Sequence, residues 1–172
     1  MIDTAIILAA GLGKRMRNFD PVIPKPLIKV NNKPFIQYAI DLLNEIRTKE
    51  IIINVHYKSD EILKFIQSLS QNNIIVSDES DLLLDTGGGI KKIFDKHNIN
   101  KSLVLNSDVI WGDTDKQLIV NMINSYPEKA EAFLGLIPKR NLKSFKGKGD
   151  FCKLKNNDLI RYDESSEPYV YI

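Results

Sequence analysis

The chain has 172 residues, 43% hydrophobic and 27% charged, with a formal net charge of +2, the size and composition of an ordinary globular domain with a real core. So small a charge argues against nucleic acid or a membrane surface as the main partner. The single cysteine, Cys152, excludes an intrachain disulfide. The first residues lack the basic and long apolar regions of a signal peptide, and no apolar run approaches the roughly 20 residues of a membrane span. The sequence therefore predicts a cytoplasmic protein, and a reducing compartment suits the lone cysteine.

Residues 4–8 are a short apolar, β-branched run that ends in Ala9-Ala10-Gly11, the pattern of a buried strand entering a glycine loop. Residues 27–30 read as a short extended piece, followed by a turn at Asn31-Asn32. Pro34 suits the first position of a helix. Phe35, Ala39, Leu42, Leu43 and Ile46 follow at helical spacing, predicting an amphipathic helix over 34–47. A second buried strand is expected over 51–55. Ser59 is placed as the N-cap of the next helix, with Asp60 and Glu61 in its first turn and Ile62, Phe65, Ile66 and Leu69 on its apolar face.

A third strand is expected over 74–76 and a helix over 87–94, opening after Thr86. A fourth strand over 103–105 ends at Asn106-Ser107-Asp108. The next helix, over 114–126, should turn Leu118, Ile119, Met122 and Ile123 inward, and residues 132–137 should form a fifth strand. Beyond residue 145, Gly147, Gly149, Asn156, Asn157 and Pro168 punctuate short segments and suggest antiparallel β additions. With no repeat, linker or low-complexity tract, residues 1–172 read as one domain. Strands alternating with helices predict an α/β fold with a mostly parallel sheet and right-handed crossovers. In such sheets ligands bind beyond the carboxyl ends of the strands. The loops after the first, third and fourth strands are therefore where chemistry is sought.

Residues 9–17 read Ala-Ala-Gly-Leu-Gly-Lys-Arg-Met-Arg. Small residues let a backbone approach a ligand, and successive N–H groups can form an anion nest; Lys14, Arg15 and Arg17 add cations. No Lys-Ser or Lys-Thr pair follows the last glycine, so this is not a Walker A loop. Met16 occupies the third glycine position of a dinucleotide fingerprint. Pro24 and Pro26 restrict the backbone around Lys25, although a lone lysine in such a turn is more often solvated.

Leu8-Ala9-Ala10-Gly11-Leu12-Gly13-Lys14-Arg15-Met16 followed by Pro24-Lys25-Pro26-Leu27 resembles the signature of the sugar-1-phosphate nucleotidylyltransferases, or sugar-nucleotide pyrophosphorylases. The resemblance implies a Rossmann-like three-layer sandwich with a small antiparallel addition near the C-terminus. It also implies that the backbone of Ala9, Ala10, Gly11 and Gly13 wraps a nucleotide. Arg15 would contact the leaving phosphates, and Lys25 the phosphates at the reacting centre.

Asn54-Val55-His56-Tyr57 is similar to an N-x-H-Y stretch in one branch of that family. His56 reads as a ligand contact or, more plainly, as a packed or capping histidine. Leu84-Asp85-Thr86-Gly87-Gly88-Gly89-Ile90 resembles the family's L-x-T-G-G-G/A segment. By that resemblance Thr86, Gly87 and Gly88 hold base and ribose, with Thr86 capping the helix.

Asp108 matches the family's metal-ligating aspartate, which implies Mg²⁺ as cofactor; Ser107 stands where the family usually has glycine. Gly147-Lys148-Gly149-Asp150-Phe151 resembles the G-x-G-D-F loop of the muramate-phosphate uridylyltransferase branch. It points to UTP and N-acetylmuramate 1-phosphate and gives Gly149 and Asp150 to the sugar phosphate. The family continues for several dozen residues beyond its counterpart of Tyr169, with a second metal-binding aspartate, so the chain reads as C-terminally truncated relative to the family.

The reaction implied is in-line attack by a sugar-phosphate oxygen on the α-phosphorus of an NTP. The attacking group is already anionic and needs no general base. Competing readings are a mannose-1-phosphate guanylyltransferase, a phosphocholine-type cytidylyltransferase, a non-catalytic nucleotide-binding module, and an NAD-dependent oxidoreductase. The missing third glycine argues against the last. Oligomeric state is not legible in the sequence.

Overall fold

The computed structural model describes residues 2–13, 23–143, 145–164 and 166–171. Contacts divide the chain into two compact units, Met1–Asn124 and Ser125–Ile172. The first unit opens with β1 (Thr4–Leu8), a 3₁₀ turn (Lys25–Leu27), and a hairpin of β2 (Lys29–Val30) and β3 (Lys33–Pro34). Then come α1 (Phe35–Glu45), β4 (Glu50–Val55), α2 (Ser59–Ser68), β5 (Ile74–Asp78), α3 (Asp85–His97), β6 (Leu103–Asn106) and α4 (Asp113–Asn124).

β1, β4, β5 and β6 form a four-stranded sheet in the order β5-β4-β1-β6. Every pairing is parallel: Ile6 lies opposite both Ile52 and Val104, and Ile52 opposite Ile75. Strand periodicity sorts the side chains into two layers. Ala5, Ile7, Ile51, Ile53, Val55, Leu103 and Leu105 pack with residues of α1 and α2 and with Ile119 of α4. Ile6 and Ile52, with Ile75 and Val104, pack with Ile90, Ile93 and Phe94 of α3. The result is the three-layer α/β sandwich expected. A strand buried on both faces has to be a continuous apolar run, which is why Ile51-Ile52-Ile53 stands out in the sequence.

The order of the strands locates the working edge. The chain steps outward from β1 to β4 to β5, and α3 then carries it back across the other face to β6 on the far side of β1. The direction of winding reverses between β1 and β6. At such a point the loops leave the strand ends toward opposite faces and open a crevice.

Several local expectations are corrected. Pro34 precedes the helix, at φ −59° and ψ 145°, because it pairs with Lys29 in the hairpin. α2 begins at Ser59 itself, and the cap position is Lys58 in the left-handed region at φ 52°. α3 begins at Asp85, so Thr86 lies within its first turn and does not cap it; the cap residue Leu84 makes no side-chain bond. Leu118 is 64% exposed, because the stripe that α4 turns to the core runs through Ile119 and Ile123. Residues 132–135 are not strand, and the strand that follows them does not join the parallel sheet.

That strand is β7 (Leu136–Pro138), in the second unit with β8 (Phe151–Lys153), β9 (Leu159–Arg161) and β10 (Pro168–Tyr171). They form an antiparallel sheet in the order β7-β10-β8-β9. β10 pairs with β7 through Val170 opposite Ile137 and with β8 through Pro168 opposite Cys152. Cys152 is fully buried. No described helix is long and apolar enough to cross a membrane.

The two-faced burial of the parallel strands predicts a sharp contrast in stability. Ile52→Ala, in the fully buried layer under α3, should cost about 2–5 kcal/mol, whereas Leu118→Ala should stay within about 0.5 kcal/mol. Urea unfolding of both variants checks this; equal losses would contradict the layer assignment.

Candidate active site

A cavity of about 580 Å³ opens in the first unit at the carboxyl ends of β1 and β6. Its walls are residues 8–13 of the glycine loop, Lys25 and Pro26, Asn106-Ser107-Asp108, and the start of α3 through Leu83, Asp85 and Thr86; Asn54 lies at its base. The two strand ends are tied together by the Ser107 amide, which donates to the Leu8 carbonyl at 3.3 Å. Gly13 turns the loop with φ +58°, and a Cβ there would come within 3.3 Å of the Lys25 Cβ.

Lys25 is presented by the 3₁₀ turn, closed by Leu27 N–H to Pro24 O at 2.8 Å and Ile28 N–H to Lys25 O at 3.2 Å. The buried Pro26 anchors the turn. Lys25 Nζ is ion-paired with Asp108 Oδ2, the two side chains being 28% and 33% exposed. The cation and the carboxylate singled out in the sequence, 83 residues apart, therefore meet in one cavity as each other's counter-ions.

Behind this wall lies a buried polar group whose link to Glu79 the motifs do not announce. Asn54, 2% exposed at the end of β4, accepts the Ala9 amide on Oδ1 at 2.8 Å and donates from Nδ2 to Glu79 Oε1 at 2.9 Å. Glu79 is also 2% exposed. Its amide donates to Val55 O at 2.8 Å, and its carbonyl accepts from His56 Nδ1 at 2.6 Å. A carbonyl only accepts, so His56 carries its proton on Nδ1. His56 is thus a packed, bridging histidine whose Nδ1 is committed to the backbone. Beside Glu79, the exposed Asp78 accepts from the hydroxyl and amide of Ser80, which hold its carboxyl below the usual range. The available sequence signal is a polar residue, Asn54, directly after the apolar run Ile51-Ile52-Ile53, with an acid ahead of the glycine-rich segment.

Ala9, Ala10, Gly11, Gly13, Lys25, Thr86 and Asp108 are all brought to this one cavity. Gly87 and Gly88 lie deeper in α3 and do not line it. Arg15, with Lys14 and Arg17, lies outside the described residues. Gly149 and Asp150 belong to the second unit. Gly149, at φ +119°, packs against Pro168, and Asp150 Oδ2 accepts the Tyr171 amide at 3.0 Å. The assignment of these two residues to the sugar phosphate rests on the sequence resemblance.

Residues 4–145 match the nucleotidyl transferase family. The chain is 30% identical over 175 residues to the N-acetylmuramate alpha-1-phosphate uridylyltransferase of Caulobacter vibrioides, an alignment covering 98% of this chain and 72% of that protein. It is 30% identical over 141 residues to the D-glycero-alpha-D-manno-heptose 1-phosphate guanylyltransferase of Aneurinibacillus thermoaerophilus, covering 82% of this chain and 60% of that one. In fold it is similar to the inositol-1-phosphate CTP transferase from T. maritima, with a TM-score of 0.69 at 14% identity over 99% of this chain and 67% of that one.

The loop geometry distinguishes its glycines. Gly13→Ala forces a left-handed alanine against Lys25 and should destabilise by about 1–2 kcal/mol. Gly11→Ala, with nothing within 4 Å of the new Cβ among the described residues, should change stability by less than about 0.5 kcal/mol. Thermal melts of the two variants decide it, and the reverse order would contradict the loop conformation.

Proposed function

We propose, for a chain that belongs to the nucleotidyl transferase family, that it joins an NTP to a sugar 1-phosphate, releasing pyrophosphate and an NDP-sugar, with UTP and N-acetylmuramate 1-phosphate as the preferred pair. The observation that carries the reading is the convergence of the glycine loop, Lys25 and Asp108 on one cavity at the switch point of the sheet. The preference for this pair is supported by the alignment of almost the whole chain with a uridylyltransferase and by the Gly147–Phe151 loop. The guanylyltransferase relative favours a second reading, GTP with a mannose-like sugar 1-phosphate.

The chemistry asks for charge neutralisation and alignment, since the attacking phosphate oxygen is already an anion. Lys25 stabilises the charge that builds on the α-phosphate, and Arg15 holds the leaving pyrophosphate. The backbone of residues 9–13 wraps the phosphates at close range. Among the described residues no three or more metal-binding side chains gather into a cage. Mg²⁺ usually binds through one or two carboxylates and completes its shell with water and substrate phosphates. Asp108, partly exposed in the cavity, fits that mode and would hold Mg²⁺, whose charge screens the triphosphate. On this reading Lys25 would give up Asp108 for a nucleotide phosphate, leaving the Asp108 carboxylate available to hold the cation.

Pyrophosphate release with Mg²⁺, measured for each of the four NTPs with N-acetylmuramate 1-phosphate and with mannose 1-phosphate, tests this. Release is expected with UTP and N-acetylmuramate 1-phosphate. Arg15→Ala, Lys25→Ala and Asp108→Ala should each lower turnover by about 10²- to 10³-fold with the fold intact. Release with GTP and mannose 1-phosphate would establish the second reading. Nucleotide binding without release from any pair would favour a non-catalytic module, and turnover within about tenfold of the parent would remove the role of the residue altered.

A further inference from the structure

We propose that Asn54 and Glu79 are positioning residues that set the spacing between the glycine loop and the first turn of α3, and through it the affinity for nucleotide; this rests on the reading of the cavity as a nucleotide site. Asn54 follows Ile51-Ile52-Ile53 in a strand buried on both faces, where an apolar side chain would satisfy packing. Instead its carboxamide bridges the Ala9 amide on one side and Glu79 on the other. Glu79 Oε2 is buried with no partner among the described residues. A buried carboxyl with half of its capacity unused is costly. Apolar replacement of such buried polar pairs is often neutral or stabilising, so packing alone gives little reason for this one.

The second contact fixes the other wall. A Cβ on Gly89 would lie 2.7 Å from Glu79 Oε1 and 2.8 Å from Asn54 Nδ2. α3 therefore rests directly on the linked pair, and its depth is set by them. One turn earlier the same helix presents Asp85 and Thr86 to the cavity, while Ala9 leads into the loop that forms the facing wall. The pair thus touches the backbone of both walls. Asn54 lines the cavity but spends its polar atoms on protein groups, so it acts on the nucleotide through Ala9 and α3.

Calorimetric titration of the whole chain with Mg²⁺ and each NTP, and separately with sugar 1-phosphate, tests the proposal alongside melting temperature. Asn54→Ala, which removes the link, and Gly89→Ala, which keeps it but displaces α3, should each weaken nucleotide binding about tenfold or more. Sugar-phosphate binding should stay within about threefold of the parent. Glu79→Gln, which retains the acceptor for Asn54, should bind nucleotide like the parent, whereas Glu79→Ala should not. Parent-like nucleotide affinity in folded Asn54→Ala and Gly89→Ala overturns the inference, as does equal weakening of both ligands or failure of both variants to fold, either of which marks a merely structural link. A parent that binds no NTP sinks the nucleotide reading, and this inference with it.

Discussion

Three consecutive residues at the end of β4 hold one acid. Asn54, Val55 and His56 each bond Glu79, through its side chain, its amide and its carbonyl in turn. Polar groups removed from water must find partners or forfeit several hydrogen bonds to solvent. A cluster of this kind therefore permits few arrangements of the backbone around it. Here the cluster joins the ends of β1, β4 and β5 and supports α3 from below. Small movements in a packed interior are resisted, so the cavity above inherits its dimensions from this layer.

Topology then explains why charge gathers where it does. The reversal of winding between β1 and β6 brings the loop after the first strand beside the loop after the last. The Ser107–Leu8 hydrogen bond closes the gap between the two. Lys25 and Asp108 reach the same space from these separate parts of the chain. Neither charge is fully solvated, and each offsets the other's desolvation. A pair that is already partly dehydrated has less water to lose when one of its members takes a phosphate and the other a cation, the sense in which a site is preorganised.

What could be read from the sequence follows from how local each signal is. The four parallel strands were legible because strands buried on both faces leave unbroken apolar runs, and α1 and α2 because their inner faces repeat at helical spacing. Residues 9–13, Lys25, Thr86 and Asp108 are singled out by the resemblance of their motifs and line one cavity, whereas Gly87 and Gly88, singled out with them, do not. The failures share a cause at a distance. Pro34 looks like a helix start until Lys29 pairs with it, and β7 reads as one more parallel strand until β10, more than thirty residues on, pairs with it. The Asn54–Glu79 link spans 25 residues and joins two segments that periodicity treats as unrelated. The start of α3 was misplaced for a different reason. Thr86 before three glycines looks like a cap, whereas the turn is made by Asp85 at φ 50°, a conformation that aspartate tolerates better than most residues and that sequence alone does not announce.

The same limit applies to the glycines, which are indistinguishable as letters. Gly13 is required by its backbone conformation and Gly89 by the atoms beneath it, both reasons internal to the protein. Gly88 is an intermediate case, since its Cβ would meet that of Leu84 at 3.1 Å. Gly11 and Gly87 have neither reason: among the described residues nothing lies within 4 Å of the Cβ each would carry. Packing among the described residues would admit a side chain at both. On the proposed reading, the reason for keeping the surface low at Gly11, which lines the cavity, lies outside the chain, in the close approach of phosphates. A glycine without an internal cause then says more about the ligand than one whose cause the fold already supplies.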